Sequence, residues 1–381
     1  MSKKKEVFKK LIPLSWTSPI RYKVDGNGKL YAAEDEFLDW NRNGTIINYS
    51  GGIEIPIIHS AIAPLRTGYY KILKDDLGGD APKDFIAVYE YGHGKKSKPR
   101  NWNRHIAKVG HKWYPLESIS EHLLNRIGEV LGLNMAKSQL RVINGQLRFL
   151  SKYFLDRDEE NLIHGAQIYS ACLQETDDRF VQEVENENLA RDLFTFQFTD
   201  ESIKNMFPEQ HEVIMNDLVK LLVFDAIIGN NDRHIYNWAV ITHIEEKKSS
   251  RFSPIYDSAR GLFWNIPESA VRKKFYENKG EIYHIKKAKL ASYMNSSRPK
   301  IGWEGWNKEN EINHFDLVKL INRNYPIYQD ICHSLIKKVH LTSINELLDR
   351  EFITFYTPER LILIKECLKQ RFEILNLSCK S

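Results

Sequence analysis

The chain has 381 residues, 42% hydrophobic and 28% charged, which is ordinary for a soluble globular protein with room for two or three lobes. Its 55 basic and 50 acidic residues leave a net charge of only +5, too little to argue for nucleic acid by itself. Cys172, Cys332, Cys367 and Cys379 lie far apart, which excludes a Cys-x-x-Cys zinc or redox motif, and no apolar run approaches the roughly 20 residues that cross a bilayer.

The N-terminus, Met1-Ser2-Lys3-Lys4-Lys5, is charged but lacks a following apolar region or cleavage site. The expected location is therefore cytoplasmic, or outside the cell by a route without a cleaved signal. Residues 1–84 carry short β-rich pieces such as Arg21-Tyr22-Lys23-Val24 and Leu30-Tyr31. Turn signals at 25–28 and 50–52 separate these pieces, predicting hairpins in a small α+β accessory unit. Asp25 and Asn27 mimic part of a calcium loop, but Lys29 and Leu30 stand where a ligand and the required glycine belong.

Next, Phe85-Ile86-Ala87-Val88-Tyr89-Glu90-Tyr91 reads as a strand and residues 104–109 as its return. The turn between them, Gly92-His93-Gly94-Lys95-Lys96-Ser97-Lys98, is glycine-rich and basic. Such a turn can cover phosphates with free backbone N–H groups and lysines, or be a solvated hairpin tip. Residues 115–131 form a predicted helix, with Ile119, Leu123, Ile127 and Val130 at helical spacing and Gly132 as its stop. Strands at 138–143 and 146–154 are joined by Asn144-Gly145, a strong hairpin signal. Helical spacing then dominates at 162–174, 178–195 and 211–228.

The last of these segments is apolar nearly all round through Leu218, Leu221, Leu222, Val223, Phe224, Ala226, Ile227 and Ile228, so it should be buried and end at Gly229. Asp225 inside it must be paired, either bracing the following loop or meeting another partner. The polar loop Asn230-Asn231-Asp232-Arg233-His234-Ile235-Tyr236-Asn237 leads into a strand at 238–242, and a second strand at 252–256 delivers Asp257. Asp232 and Asn237 are five residues apart, the separation of catalytic-loop Asp and Asn in protein kinases. In such sites the Asp receives the hydroxyl proton, while the Asn and a later Asp supply the hard oxygen ligands that Mg²⁺ needs. Lys286, Lys287, Lys289 and Arg272, Lys273, Lys274 make a basic stretch, and residues 312–377 read as helical core.

Gly229 to Trp238, with Ser253-Pro254-Ile255-Tyr256-Asp257 after it, resembles the catalytic and metal segments of HipA-like serine/threonine kinases. The likeness is to the stand-alone branch that includes the cell-translocating kinase. The Asp-Arg-His-x-x-Asn string is also similar to the catalytic loop of phosphatidylinositol kinases. The resemblance covers about 85–377 and implies ATP and Mg²⁺ as cofactors. It makes Asp232 the catalytic base that positions and deprotonates the hydroxyl, His234 a charge-stabilising or loop-ordering group, and Asn237 and Asp257 the metal ligands. By the same resemblance Lys108 clamps phosphates and Glu121, from Ser120-Glu121-His122, positions it. Lys112 is a rival, because Gly110-His111-Lys112 departs from the family pattern. Gly92 and Gly94 would cover the phosphates, and the main chain of Lys152, Tyr153 and Phe154 would meet adenine.

The expected fold is α+β: a two-lobed, protein-kinase-like HipA architecture with an N-terminal extension (1–84), a sheet-rich N-lobe (85–158) and a helical C-lobe (159–381). The expected activity is transfer of the ATP γ-phosphate to a serine or threonine of a protein substrate, with self-phosphorylation, for which Ser97 is a candidate. Some family members work beside a DNA-binding antitoxin, so an antitoxin or other regulatory partner protein is also expected, with nucleic acid involved only indirectly if at all. A phosphatidylinositol-type lipid kinase, a pseudokinase and a nucleic-acid-associated regulator are the alternatives.

Overall fold

The computed structural model describes residues 22–24, 29–32, 47–48, 62–73, 83–92, 95–110, 115–143, 146–156, 158–175, 179–187, 189–245, 247–279, 282–306 and 311–380. The turns at 25–28 and 50–52, Gly94, Lys112 and the Asn144-Gly145 turn lie outside these residues.

The N-terminal strands β1 (Tyr22–Val24), β2 (Lys29–Ala32) and β3 (Ile47–Asn48) form an antiparallel sheet, in the order β1-β2-β3. The β1–β2 register, Tyr22 opposite Ala32, agrees with the hairpin read from the turn signal at 25–28. A second sheet holds β4 (Tyr70–Ile72), β5 (Lys83–Val88), β6 (Asn103–Lys108), β7 (Ser138–Ile143) and β8 (Gln146–Lys152) in the order β4-β5-β6-β8-β7. β4 and the bridge from Pro64 to Val142 bring residues 64–72 onto this sheet. Helix α1 (Leu116–Val130) packs its apolar face, Ile119, Leu123, Leu124 and Ile127, against β7 and β8. One such face per helix is what a sheet can cover.

The helical part follows: β9 (Glu160–His164), α2 (Gly165–Cys172), α3 (Arg179–Asn186), α4 (Ala190–Leu193), α5 (Phe196–Met206) and α6 (His211–Ile228). The segment expected to be helical from 162 instead begins as a strand. β9 pairs with β10 (Ala239–His243) from Glu160 opposite His243 to His164 opposite Ala239, a long-range partner that local spacing does not display. The stretch 178–195 is likewise two short helices. The strand expected at 252–256 is cut to β11 (Arg251–Phe252), since Pro254 has no N–H to give a ladder. Ile255 bridges in parallel to Met135 instead.

Beyond it come α7 (Glu268–Phe275), the hairpin β12 (Tyr276–Lys279) and β13 (Ile282–Ile285), α8 (Lys287–Asn295), α9 (His314–Asn324), α10 (Gln329–Leu335), α11 (Lys338–Leu347) and α12 (Pro358–Ser378). α6 lies at the centre, touching α9, α10 and α12, and residues Leu221 to Ile228 are buried on every side. No helix of the described residues is long and apolar enough to cross a membrane.

Candidate active site

Gly229 ends α6 with φ of 67°, the left-handed conformation that glycine adopts without a Cβ penalty. A Cβ there would also stand 3.0 Å from the guanidinium of the buried Arg371. The chain then turns through Asn230 and is locked from below. Asp225, still inside α6, accepts from Arg233 Nε at 2.9 Å and Nη2 at 3.0 Å, and from Asn230 Nδ2 at 3.0 Å. The role as loop brace read from its buried position is therefore the one it has.

Arg233 fastens the two halves of the site together. Its Nη1 donates to the carbonyl of Asn237 at 2.9 Å and to that of Tyr256 at 2.6 Å, while Nη2 reaches Ser258 Oγ at 2.8 Å. Residue 237 and the residue before Asp257 thus share one nitrogen, although nineteen positions separate Asn237 from Tyr256 in the chain. Asn237 Nδ2 donates to the Asp232 carbonyl at 2.7 Å. His234 Nδ1 accepts from the Tyr236 amide at 3.2 Å and its carbonyl accepts from the Asn237 amide at 2.8 Å.

Asp257 has φ of 54°, a strained conformation for a residue with a side chain, of the kind that clusters at functional sites. From there its carboxylate meets Lys108 Nζ, at the end of β6, and the same ammonium donates to Glu121 Oε1 on α1 at 3.0 Å. One cation serves two acids. Burial opposes the charge on Lys108, but Asp257 and then Glu121 outweigh it and hold the ammonium above its ordinary value. Burial also works against Asp257, and Lys108 more than offsets it, so this acid stays below its usual range. Glu121 is left with the smaller share of the cation; burial, with Asp257 repelling it, pushes it up to about 7.

Sequence reasoning assigned no role to Arg260. Its Nη1 lies 3.0 Å from Asp232 Oδ1, and its carbonyl accepts from the Asn231 amide at 3.3 Å. The neighbouring Gly261 lets this strip pass close to α6, since a Cβ there would stand 2.7 Å from the Ile228 carbonyl. Only the position of Arg260, three residues after Asp257, could have signalled it.

The remaining predicted residues lie at the edges of the five-stranded sheet and in the segment that leaves it. Gly92 has φ of 90° at the start of the loop joining β5 to β6. In that loop Lys96 lies over the Tyr69 ring, 3.6 Å from its centroid. Lys152 ends β8. Tyr153 donates its amide to Arg104 O at 2.8 Å and sets its ring edge-on to Phe85. Phe154 leads from there to the Tyr256 ring, with centroids 5.9 Å apart. The backbone expected to meet the base is thus joined by ring contact to the residue preceding Asp257.

Among the described residues there is no cluster of three or more His, Cys, Asp or Glu that would hold a metal unaided. The donors Asn237 Oδ1 and Asp257 are hard oxygens, few enough that phosphates and water must complete the shell. That is the usual arrangement for Mg²⁺ with a nucleotide, and the residues fit the group.

The family model for the HipA-like C-terminal domain matches residues 76–306. The chain belongs to the HipA-like family. Its fold is similar to the crystal structure of the Helicobacter pylori proinflammatory kinase CtkA, with a TM-score of 0.64 at 16% identity, over 84% of this chain and 97% of that one. It also matches HipA of Shewanella oneidensis MR-1, solved with HipB and operator DNA, with a TM-score of 0.46 at 12% identity over 86% of this chain and 73% of that one. No curated protein matches the chain. The likeness to CtkA agrees with the two-lobed α+β fold expected from the sequence.

Proposed function

We propose that the protein is an ATP-dependent protein kinase that transfers the γ-phosphate to a serine or threonine hydroxyl and also phosphorylates itself. The observation that carries this reading is the meeting of Glu121 and Asp257, from the two parts of the fold, on the one ammonium of Lys108, with Arg233 tying Asn237 to the residue before Asp257. When bound, Mg²⁺ would neutralise charge on the nucleotide phosphates. Asn237 Oδ1 and the Asp257 carboxylate would hold that ion. Lys108 would meet the α- and β-phosphates, with Glu121 fixing its position. Gly92 and the basic loop after it would cover the phosphates, and the Lys152–Tyr153–Phe154 main chain would bind adenine.

Asp232 would take the proton from the acceptor hydroxyl. Arg260 holds one of its carboxylate oxygens, which leaves the other to face the substrate. His234 would order the loop, consistent with its bonds to residues 236 and 237. Catalysis in such a site is positioning and charge neutralisation more than covalent chemistry. The reading requires a protein substrate and no nucleic acid.

Mass spectrometry after incubation with Mg·ATP tests it. Phosphate should appear on the protein and on added protein substrates. Asp232→Asn should lower transfer by about 10²–10⁴-fold, the usual contribution of a positioned base, and Asp257→Ala should lose it while still folding. Normal turnover by folded Asp232→Asn protein, or label entering phosphoinositides and not protein, would overturn the assignment.

A further inference from the structure

Beside the loop that carries Asp232, the stretch Ser297–Lys300 brings two arginines together. Asn231, the exposed residue before Asp232, accepts from the backbone N–H of Arg298 at 3.0 Å through its Oδ1. Arg191 caps the next residue, its Nε donating to the Pro299 carbonyl at 2.7 Å. Both side chains are half-buried. Arg298 spends Nη1 on the carbonyls of Asn295 and Ser297, and neither guanidinium has a carboxylate of the described residues within ion-pair distance. Glu311 and Asp192 act on Arg191 only from farther away.

Two like charges held together without a counter-ion are costly. Burial, and after it the charge of Arg298, hold the Arg191 guanidinium below its ordinary value. A guanidinium presents five N–H donors, and most of these remain available for an incoming oxyanion, which Arg can grip by two parallel bonds. Arg148, Arg233 and Arg360 are each paired with an acid, and the buried Arg371 bonds the Ala226 carbonyl and Ser297 Oγ. Arg191 and Arg298 instead keep donors beside a segment bonded to Asn231, the residue before Asp232, and suit an anion that arrives with the substrate.

We propose that Arg191 and Arg298 form a specificity subsite that binds an anionic side chain, acidic or phosphorylated, lying close in sequence to the phosphorylated serine or threonine of the protein substrate. This rests on the assignment of Asp232 as the residue that meets the acceptor hydroxyl. The subsite acts through the substrate alone; it touches neither the nucleotide residues nor Asp257.

The test uses the full chain with Mg·ATP and three synthetic peptides that share a central serine. The neighbouring positions are filled with glutamate, phosphoserine or alanine. The expected ratio of kcat/KM for an anionic peptide over the alanine peptide is about tenfold or more, the worth of a charge-assisted hydrogen bond. In the Arg191→Ala/Arg298→Ala double variant that ratio falls to near one, and Arg191→Lys/Arg298→Lys recovers part of it. Preference for phosphoserine alone identifies a phosphate as the anion; preference for both anionic peptides identifies a carboxylate as sufficient.

A wild-type ratio near one, a ratio unchanged in the double alanine variant, or ATP turnover with no peptide labelled overturns the subsite. So does a single-stranded oligonucleotide that binds more tightly than the peptides through the same two arginines. Absence of any ATP turnover by the wild type would instead defeat the phosphotransfer reading itself.

Discussion

Asp232 meets a guanidinium and Lys108 meets two carboxylates, and these pairings fix how the site responds to substitution and to pH. The Arg260 contact orients the Asp232 carboxylate from one side. Arg260→Ala should lower kcat/KM roughly tenfold, with partial recovery in Arg260→Lys, measured by steady-state phosphotransfer. An unchanged rate would assign Arg260 to packing alone. Glu121 titrates in the accessible range. Its value in the fold, about 7, lies above the ordinary 4.5, so it favours folding most below pH 4.5 and loses that contribution as pH rises through 7. Glu121→Gln carries no titrating group. Across pH 5 to 8 the wild type should therefore lose about 2 kcal/mol relative to this variant, visible as diverging melting curves. Parallel curves would mean that Glu121 is ionised throughout.

At the scale of elements, the loop from Gly229 to Asn237 is a fixture of α6. A helix whose last two turns are buried on every side cannot move its end without moving the core. Asp225 exports that rigidity through Arg233 to the carbonyls of both Asn237 and Tyr256. Asp225→Ala leaves a buried guanidinium without its acid, a change that costs about 3–5 kcal/mol in comparable buried pairs. The expected result is a lower melting temperature together with lost activity, whereas an exposed loop brace would lose activity alone. The strip after Asp257 is anchored in the same manner. Arg360, fully buried on α12, bonds Glu268 Oε1 at 2.6 Å and the Phe263 carbonyl at 3.2 Å, so residues 263–268 are held from the far end of the chain.

Across the whole molecule, the two parts of the fold meet at Lys108. β6 belongs to the five-stranded sheet and Asp257 to the helical part, and the Lys108–Asp257 ion pair joins them. Ligand that binds this folded cleft stabilises the entire chain by mass action. Mg·ATP at a hundred times its Kd should add about 2.7 kcal/mol, read as a rise in melting temperature. Lys108→Ala should abolish most of that rise. An equal rise in the variant would exclude Lys108 from the nucleotide site.

The loop from Gly229 to Asn237, the buried character of α6, helix α1 and the 138–152 hairpin were all legible in the letters, because short-range spacing and turn chemistry specify each of them. Lys108 and Glu121 came only from resemblance, since a lysine on a strand and a glutamate on a helix look like any exposed pair until the fold buries them together. The helix expected from 162 begins at Gly165, because residues 162–164 belong to β9, whose partner lies some eighty positions away. Arg191 and Arg298 carried no signal at all, and Arg260 only its place three residues after Asp257. What the sequence alone determined is which residues can be ligands, acids and helix ends; tertiary structure alone decided which of them share a cation, because burial and distance between remote segments are properties of packing and not of spacing.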